Sequence, residues 1–182
     1  KVVSLFSGCG GLDLGFKQAG FDFLWANEFD PKIYPTFAKN FPKVELDTRS
    51  ITNIKPSEIP NCDGIIGGPP CQSWSAFGKG RGMNDPRGKL INSYIKIIEA
   101  KRPKFFLAEN VQGILFERHR QSLNKILNAF LNLGYNVNCL SLNASDYGVA
   151  QSRKRVFIVG YASSFDEHFF APEKNRKKMT KK

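Results

Sequence analysis

Cys71 lies in the segment GGPPCQSWS (67–75), where a thiol directly follows two prolines. A thiolate is a strong nucleophile that can form a covalent bond with an electrophilic carbon of a substrate. Pro69 and Pro70 each restrict one backbone φ angle, so the direction of the thiol is largely set in advance. The residues that follow are polar, which indicates an accessible thiol. We therefore interpret Cys71 as a candidate nucleophile, because a buried, inert cysteine fits the neighbouring prolines poorly.

Charged groups also flank two other apolar runs: Glu109 ends one, and QSRKR (151–155) leads into the last one. Glu109 comes directly after FFLA, where an acid at the end of a buried strand can share a proton with a ligand; a helix cap or a structural ion pair is the alternative. In QSRKR, alternation along an extended chain puts Gln151, Arg153 and Arg155 on one side. These side chains are suited to hold an oxygen or a phosphate, although basic residues also protect edge strands from aggregation.

A further group of residues has the chemistry of a nucleotide pocket. The segment FSGCGG (6–11) ends the first apolar run, and its glycines allow a tight turn and a close approach to a ligand. Glu28 ends the second run, where a carboxylate can accept hydrogen bonds from ribose hydroxyls or can stabilise a helix N-terminus. Asp47 ends the third run and can accept a hydrogen bond from an adenine amino group. The three together predict a pocket for an adenosine-containing cofactor.

Apolar runs that alternate with helix-like segments must position these groups. The predicted strands cover residues 2–6, 21–28, 44–47, 63–68, 105–111, 136–144 and 155–162. The predicted helices cover 11–19, a segment after Asp30-Pro31, 89–100, and 117–132, which Gly134 caps. Continuous apolar strands separated by helices are typical of a parallel sheet covered on both faces. The last two strands have no helix between them, so we predict a doubly wound, mostly parallel α/β fold that ends in an antiparallel hairpin, with ligands at the carboxyl ends of the strands.

The chain has 182 residues and a net charge of +11, which favours a polyanionic partner such as nucleic acid. We predict one domain over residues 1–168 and a basic, flexible tail over 169–182. The last ten residues, EKNRKKMTKK, carry six basic groups and one acid, as is typical of a solvated terminus.

Several other classes of site are disfavoured. The four cysteines form no C-x-x-C pair and there are two histidines, so no metal site is predicted. No apolar run approaches about 18 residues, so no membrane span is predicted. The apolar start KVVSLF is too short for a signal peptide. We therefore expect a cytoplasmic protein with reduced thiols.

Four motifs, in this order, resemble those of cytosine-C5 DNA methyltransferases. They are FSGCGGLDLG (6–15), PPCQSWS (69–75), ENV (109–111) and QSRKR (151–155). The resemblance is closest to the bacterial restriction-modification type, in particular to HaeIII-like members, which recognise GGCC. It extends from residue 2 to about residue 161 and implies a Rossmann-like, S-adenosylmethionine-dependent methyltransferase fold in a bacterial cytoplasm.

The resemblance implies a catalytic set for methyl transfer to carbon 5 of cytosine in double-stranded DNA. The Cys71 thiolate would add to carbon 6 of a cytosine flipped out of the duplex. Glu109 would contact the N3 edge and the exocyclic amine of the base. Arg155 would hold the O2 oxygen, and Arg153 would orient Cys71 or a phosphate.

The resemblance also implies two binding sets. S-adenosylmethionine, with S-adenosylhomocysteine as its product, would be bound by Phe6, Gly8, Cys9, Gly10, Gly11, Leu12, Glu28, Phe29, Asp47, Thr48, Gly68, Pro70 and Leu90. The glycine-bearing loop over residues 71–88 would close on the flipped base. DNA would be contacted by Gln72, Ser75, Lys79, Arg81, Arg87 and Gln151.

The family normally continues into a target-recognition domain and a final helix that packs beside the first glycine loop. Neither is recognisable in this sequence. We therefore expect the catalytic part of a split enzyme, completed by a second polypeptide, or a truncated domain, with exposed apolar surface where that helix would pack. A transfer-RNA cytosine-C5 methyltransferase and a non-catalytic cofactor-binding subunit are the alternatives.

Overall fold

A computed structural model describes residues 1–70, 88–164 and 169–174. Several predicted residues lie outside the described ranges, namely Cys71, Gln72, Ser75, Lys79, Arg81 and Arg87, together with residues 175–182 of the predicted tail. In these ranges, no helix combines the length and the apolar character needed to cross a bilayer.

The described residues form seven strands and four α-helices. The strands are β1 (Val2–Leu5), β2 (Phe23–Asn27), β3 (Glu45–Asp47), β4 (Gly64–Gly67), β5 (Phe105–Val111), β6 (Tyr135–Asn143) and β7 (Lys154–Ala162). The helices are α1 (Gly11–Gln18), α2 (Tyr34–Asn40), α3 (Gly88–Lys101) and α4 (Arg120–Asn132).

The strands form one sheet in the order β3-β2-β1-β4-β5-β7-β6. Strands β1 to β5 are parallel, whereas β7 is antiparallel to both β5 and β6. The predicted doubly wound sheet with a final antiparallel hairpin is therefore confirmed. The order reverses beside β1, so the carboxyl ends of β1 and β4 border the crevice in which ligands of such sheets bind.

Two helices begin later than the sequence predicts. Asp30 and Pro31 open a turn, in which the Asp30 carbonyl accepts hydrogen bonds from Ile33 and Tyr34, and α2 starts only at Tyr34. Before α4 the chain forms two 3-10 turns, separated by an extended Phe116 at φ −65° and ψ 146°. An extended residue interrupts the helical hydrogen-bond ladder, so the regular helix begins at Arg120.

The two faces of β5 are packed differently. Phe106, Ala108 and Asn110 are buried, and the Phe106 ring lies 4.2 Å from the Phe130 ring of α4. On the opposite face, the Phe105 ring stacks 6.3 Å from the Phe16 ring of α1. Because side chains alternate along a strand, Glu109 shares this second face with Phe105.

Candidate active site at the carboxyl edge of the sheet

A cavity of about 580 Å³ lies at the carboxyl ends of β1, β4 and β5. Eight of the predicted site residues line it, namely Phe6, Gly8, Gly11, Leu12, Gly68, Glu109, Arg153 and Arg155. The fold thus brings the predicted cofactor loop and the predicted base-binding groups together in the lining of one cavity. They come from four parts of the sequence, and the parallel strands place them at one edge.

The loop after β1 adopts a backbone that needs glycine. Gly8 and Gly10 have φ angles of 57° and 85°, in the left-handed region. A Cβ at Gly10 would collide with the Phe41 ring, whereas one at Gly8 would meet no atom within 4 Å. Phe6 also has a positive φ, 55°, which is rare for a bulky residue and typical of strained functional sites.

Glu28 holds this loop in place. Its Oε2 accepts a hydrogen bond from the Gly8 backbone N–H at 2.8 Å, and its Oε1 accepts one from the Asp30 N–H at 2.9 Å. A carboxylate has about four acceptor positions. Glu28 therefore orients the glycine loop and keeps acceptor capacity for the hydroxyls of a ribose.

Asp47 lies beside Glu28, whose backbone N–H donates to the Asp47 carbonyl at 3.1 Å. The buried Asn27 amide donates to the carbonyl oxygens of Asp47 and Arg49, at 2.9 Å and 2.8 Å. Hydrogen bonding from the Arg49 side chain lowers the pKa of the Asp47 carboxyl. These contacts join the ends of β2 and β3, where sequence analysis places the ribose and adenine contacts.

Glu109 and Arg155 form an ion pair within the cavity. Arg155 Nε lies 2.8 Å from Glu109 Oε1, and both side chains are partly exposed. In the β5–β7 register Glu109 pairs with Phe157 and Val111 with Arg155, so the two charged residues are diagonal neighbours on one face. A Cβ at Gly68 would lie 3.2 Å from Glu109 Oε2, so this glycine lets the segment after β4 approach the acid.

Asn110 is a buried polar residue at the end of β5 that was not among the predicted site residues. The side chain of Asn110 is buried, its Nδ2 donates to the Pro69 carbonyl at 3.0 Å, and its Oδ1 accepts from the Val111 N–H at 2.9 Å. It thereby ties the end of β5 to the segment that leads into Cys71. The sequence carried one sign of this role: a polar residue occupies a position of β5 at which the alternation of side chains predicts a buried, apolar one.

Asp13 is a second residue that was missed. It is buried in the first turn of α1, it lines the cavity, and neither carboxylate oxygen makes a hydrogen bond to the described part of the chain. Burial raises its pKa to about 6, an effect that the nearby Ser4 hydroxyl partly offsets without reaching hydrogen-bond geometry. An acid inside the pattern GGLDLG was the only sequence signal.

The other predicted residues within the described ranges do not line the cavity: Cys9, Gly10, Glu28, Phe29, Asp47, Thr48, Pro70, Leu90 and Gln151. Of these, Leu90 packs against the main hydrophobic core, and the Cys9 carbonyl accepts a hydrogen bond from the Asn40 side chain. The described ranges contain no cluster of three His, Cys, Asp or Glu side chains that could hold a metal ion.

The described part of the predicted tail contacts the domain. Lys174 Nζ lies 3.0 Å from Asp146 Oδ2, and the Tyr147 hydroxyl donates to the Pro172 carbonyl at 3.4 Å. Pro172 also lines the cavity. Residues 169–174 therefore run along the side of the cavity formed by the turn between β6 and β7.

Comparison with known proteins gives consistent results. Residues 1–182 match the family described as C-5 cytosine-specific DNA methylase. The chain is 52% identical over 174 residues to the Type II methyltransferase M.NgoPII of Neisseria gonorrhoeae, which covers 95% of this chain and 51% of the relative. It is also 52% identical over 182 residues to M.FnuDI of Fusobacterium nucleatum, covering 97% of this chain and 53% of that protein.

Solved structures are similar in fold as well. A protein described as a DNA modification methyltransferase encoded within an Escherichia coli prophage superposes with a TM-score of 0.77 at 36% identity, over 90% of this chain and 47% of that one. The DNMT2 structure of Spodoptera frugiperda gives a TM-score of 0.77 at 26% identity, over 92% and 51% of the two chains.

The chain thus spans about half the length of the curated relatives that it matches. The match to the family extends over the glycine loop, the Glu109–Arg155 pair and the hairpin that carries Arg155. This chain belongs to the C-5 cytosine-specific DNA methylase family.

Proposed function

We propose that this chain carries the catalytic part of a restriction-modification DNA (cytosine-5)-methyltransferase, which methylates carbon 5 of cytosine in double-stranded DNA of the bacterial cytoplasm. The observation that carries the proposal is the single cavity in which the glycine loop after β1 and the Glu109–Arg155 pair meet. A methyl donor and an acceptor base must be held close together and in line. A nucleotide loop and a charged pair that share one cavity are suited to hold them.

The residues around the glycine loop fit S-adenosylmethionine. A Cβ at Gly8 or Gly11 would meet no atom within 4 Å, so the backbone there is open to a ligand. Glu28 would bind the ribose with its remaining acceptor positions, and Phe6 would pack against the adenine. When bound, S-adenosylmethionine supplies the methyl group.

Cys71 would act as the nucleophile. Its thiolate would add to carbon 6 of the cytosine, which makes carbon 5 electron-rich. Carbon 5 would then take the methyl group from the sulfonium sulfur of the donor, and the methyl–sulfur bond would break to leave S-adenosylhomocysteine. The proton on carbon 5 then leaves, the carbon 6–sulfur bond breaks, and the thiolate is regenerated. The hydrogen bond from Asn110 to the Pro69 carbonyl supports this role, because it holds the backbone two residues before Cys71.

Glu109 and Arg155 would hold the base during this reaction. Glu109 would contact N3 and the exocyclic amine and would keep a proton at N3, while Arg155 would bind O2. A cytosine stacked inside a duplex cannot reach the cavity, so the base must flip out. Arg153, Gln151 and the predicted loop over 71–88 would contact the DNA around it.

We also propose that sequence recognition resides in a part of the enzyme beyond these 182 residues, either the second polypeptide of a split enzyme or the remainder of a longer chain. An apolar groove of about 650 Å³ next to the cavity supports this view. It shares Leu142, Phe157 and Pro172 with the cavity, and Phe105 and Leu140 belong to the same wall. A partner element packed there would bury apolar surface and stabilise the assembly.

The test incubates the chain with GGCC duplex DNA that carries 5-fluorocytosine, together with S-adenosylmethionine, with and without the remaining half of the methyltransferase. Fluorine at carbon 5 cannot leave as a proton does, so the carbon 6–sulfur bond persists and the adduct can be isolated. We expect an adduct in the assembled enzyme that Cys71→Ser abolishes.

Two outcomes would contradict the proposal. If no adduct forms with any combination of components, the chain is a non-catalytic cofactor-binding subunit. If an adduct forms with transfer RNA that contains 5-fluorocytosine but not with DNA, the substrate is RNA. The naming of the similar curated proteins as Type II methyltransferases favours DNA.

A further inference from the structure

The carboxylate of Asp47 is held by the Arg49 side chain. Arg49 Nη2 lies 2.6 Å from Asp47 Oδ2, and Arg49 Nε lies 3.1 Å from both carboxylate oxygens. The Arg49 backbone N–H also donates to Oδ1 at 2.9 Å. Asp47 is therefore fixed in one orientation by a residue only two positions further along the chain.

Arg49 is held in turn from its other side. Its Nη1 donates to Glu58 Oε1 at 2.8 Å, and Glu58 Oε2 accepts a hydrogen bond from the Lys55 backbone N–H at 2.8 Å. Glu58 closes the 3-10 turn Pro56–Glu58, which packs against α3 through its neighbour Ile59 in the core. The guanidinium is thus clamped between two carboxylates, one of which is anchored to the rest of the fold.

We infer that Arg49 is a positioning residue that makes Asp47 selective for the 6-amino group of the cofactor's adenine. The inference rests on the proposed function, which requires a bound S-adenosylmethionine, and on the expectation from the sequence that its adenine amino group lies at Asp47. A carboxylate has about four acceptor positions, and three Arg49 N–H groups occupy most of them, so the directions that remain for a ligand donor are set. A 6-amino purine can donate to them, whereas a 6-oxo purine presents an oxygen that an ionised, immobile carboxylate repels.

Two features show why Arg49 is needed for this selectivity. Without it, the Asp47 carboxylate would be free to rotate about its side-chain torsions, and its acceptor positions would not be set before binding. The Arg49 hydrogen bond also lowers the pKa of Asp47, the direction that favours its ionised, acceptor-only form. Arginine suits this task because its planar fork matches a carboxylate, whereas lysine is a point charge.

The test measures binding of S-adenosylhomocysteine and of S-inosylhomocysteine to the assembled enzyme by calorimetry. The variants are Arg49→Ala, Arg49→Lys and Glu58→Gln. We expect the unaltered enzyme to prefer the adenine ligand. Arg49→Ala should weaken binding of S-adenosylhomocysteine at least tenfold and binding of the inosine analogue less than twofold. Arg49→Lys and Glu58→Gln should give intermediate losses of preference, because each keeps part of the clamp.

A purely structural role for Arg49 would produce equal losses for both ligands, and that result, or no loss for either, would overturn the inference. Equal affinity of the unaltered enzyme for both ligands would also overturn it. Glu58→Gln decides the matter if Arg49→Ala does not fold. Failure of the unaltered enzyme to bind either ligand is a different outcome, because it would overturn the proposed cofactor site itself.

Discussion

Asn110 donates a hydrogen bond from its Nδ2 to the carbonyl oxygen of Pro69 at 3.0 Å, which joins the end of β5 to the segment that precedes Cys71. The Asn110 side chain is 3% exposed, and its Oδ1 accepts from the Val111 N–H. Both ends of the amide are therefore used, and they join the strand that carries Glu109 to the backbone at Pro69. A buried amide thus fastens the strand end that carries Glu109 to the segment that leads, in sequence, to Cys71.

Replacing Asn110 with alanine should slow the chemistry more than it weakens cofactor binding. The hydrogen bond to the Pro69 carbonyl would be lost, at a cost of about 0.5–1.5 kcal/mol, and with it a connection between β5 and the segment before Cys71. We expect the rate of adduct formation with 5-fluorocytosine DNA to fall at least tenfold, with affinity for S-adenosylhomocysteine within twofold. Asn136→Ala, at an exposed position of β6, is the control. An unchanged adduct rate in Asn110→Ala would rule out the positioning role.

Gly10 and Gly11 should respond in opposite ways to alanine. At Gly10 a Cβ would collide with Phe41 and the φ of 85° would be strained, so we expect a loss of about 2–4 kcal/mol of unfolding free energy. Gly11→Ala adds a Cβ in open space at the start of α1. That variant should keep its stability yet bind S-adenosylhomocysteine more weakly. Thermal unfolding and calorimetry of both variants distinguish these effects, and equal stabilities would contradict the packing argument.

Asp13 should make the protein less stable as pH rises. Burial raises its pKa from 3.8 to about 6, so folding favours the protonated form. The stability that this preference contributes is fully present below about pH 4 and is lost as pH rises through about 6. The full loss is about 3 kcal/mol for a shift of this size.

Urea unfolding of Asp13→Asn between pH 4.5 and 7.5 tests that expectation. Asparagine cannot ionise, so the variant's stability relative to the unaltered chain should increase by about 2 kcal/mol across this range. Asp22→Asn, at an exposed position before β2, is the matched control for the loss of one carboxylate. Parallel profiles for the Asp13 variant and the unaltered chain would show that this carboxyl does not cause the effect.

Glu109→Gln should remove activity without unfolding the protein. The Glu109–Arg155 pair is partly exposed, and such pairs contribute about 0–1 kcal/mol to stability. A glutamine cannot hold the N3 proton as proposed, so methylation should fall at least 100-fold while the melting temperature changes little. Glu117→Gln removes a comparable charge, from the pair with Arg120 on the surface, and should leave activity intact. Substantial activity in Glu109→Gln would exclude the acid from the reaction.

Leu140→Asp should prevent assembly with the remaining half of the enzyme. Leu140 lines the apolar groove, and a charge there would be costly to bury against a partner. We expect analytical ultracentrifugation to show no complex and methylation to be lost. Leu131→Asp places the same charge at an exposed position of α4 outside the groove and should assemble normally. If Leu140→Asp also assembles normally, the groove is not the contact surface.

Much of this fold and site is predictable from sequence because the signals are local. Each of these signals acts within a few residues. The apolar runs identified the strands and their order in the chain, and the glycines after the first run and the prolines before Cys71 marked where strands end. The motifs at the ends of β1, β4, β5 and the segment before β7 identified the family. The helix boundaries were harder to predict, because the pair Asp30-Pro31 is equally compatible with the start of a helix and with the turn that it forms.

The tertiary structure decided which of these groups meet. Glu109 and Arg155 are 46 positions apart, and only the β5–β7 register makes them neighbours. The anchoring of Arg49 by Glu58, the reach of Asn110 to Pro69, and the burial of Asp13 likewise depend on which segments fold against one another. Residue types determine what chemistry is available, whereas register and packing determine partners and solvation, and those set the charge and direction of each group.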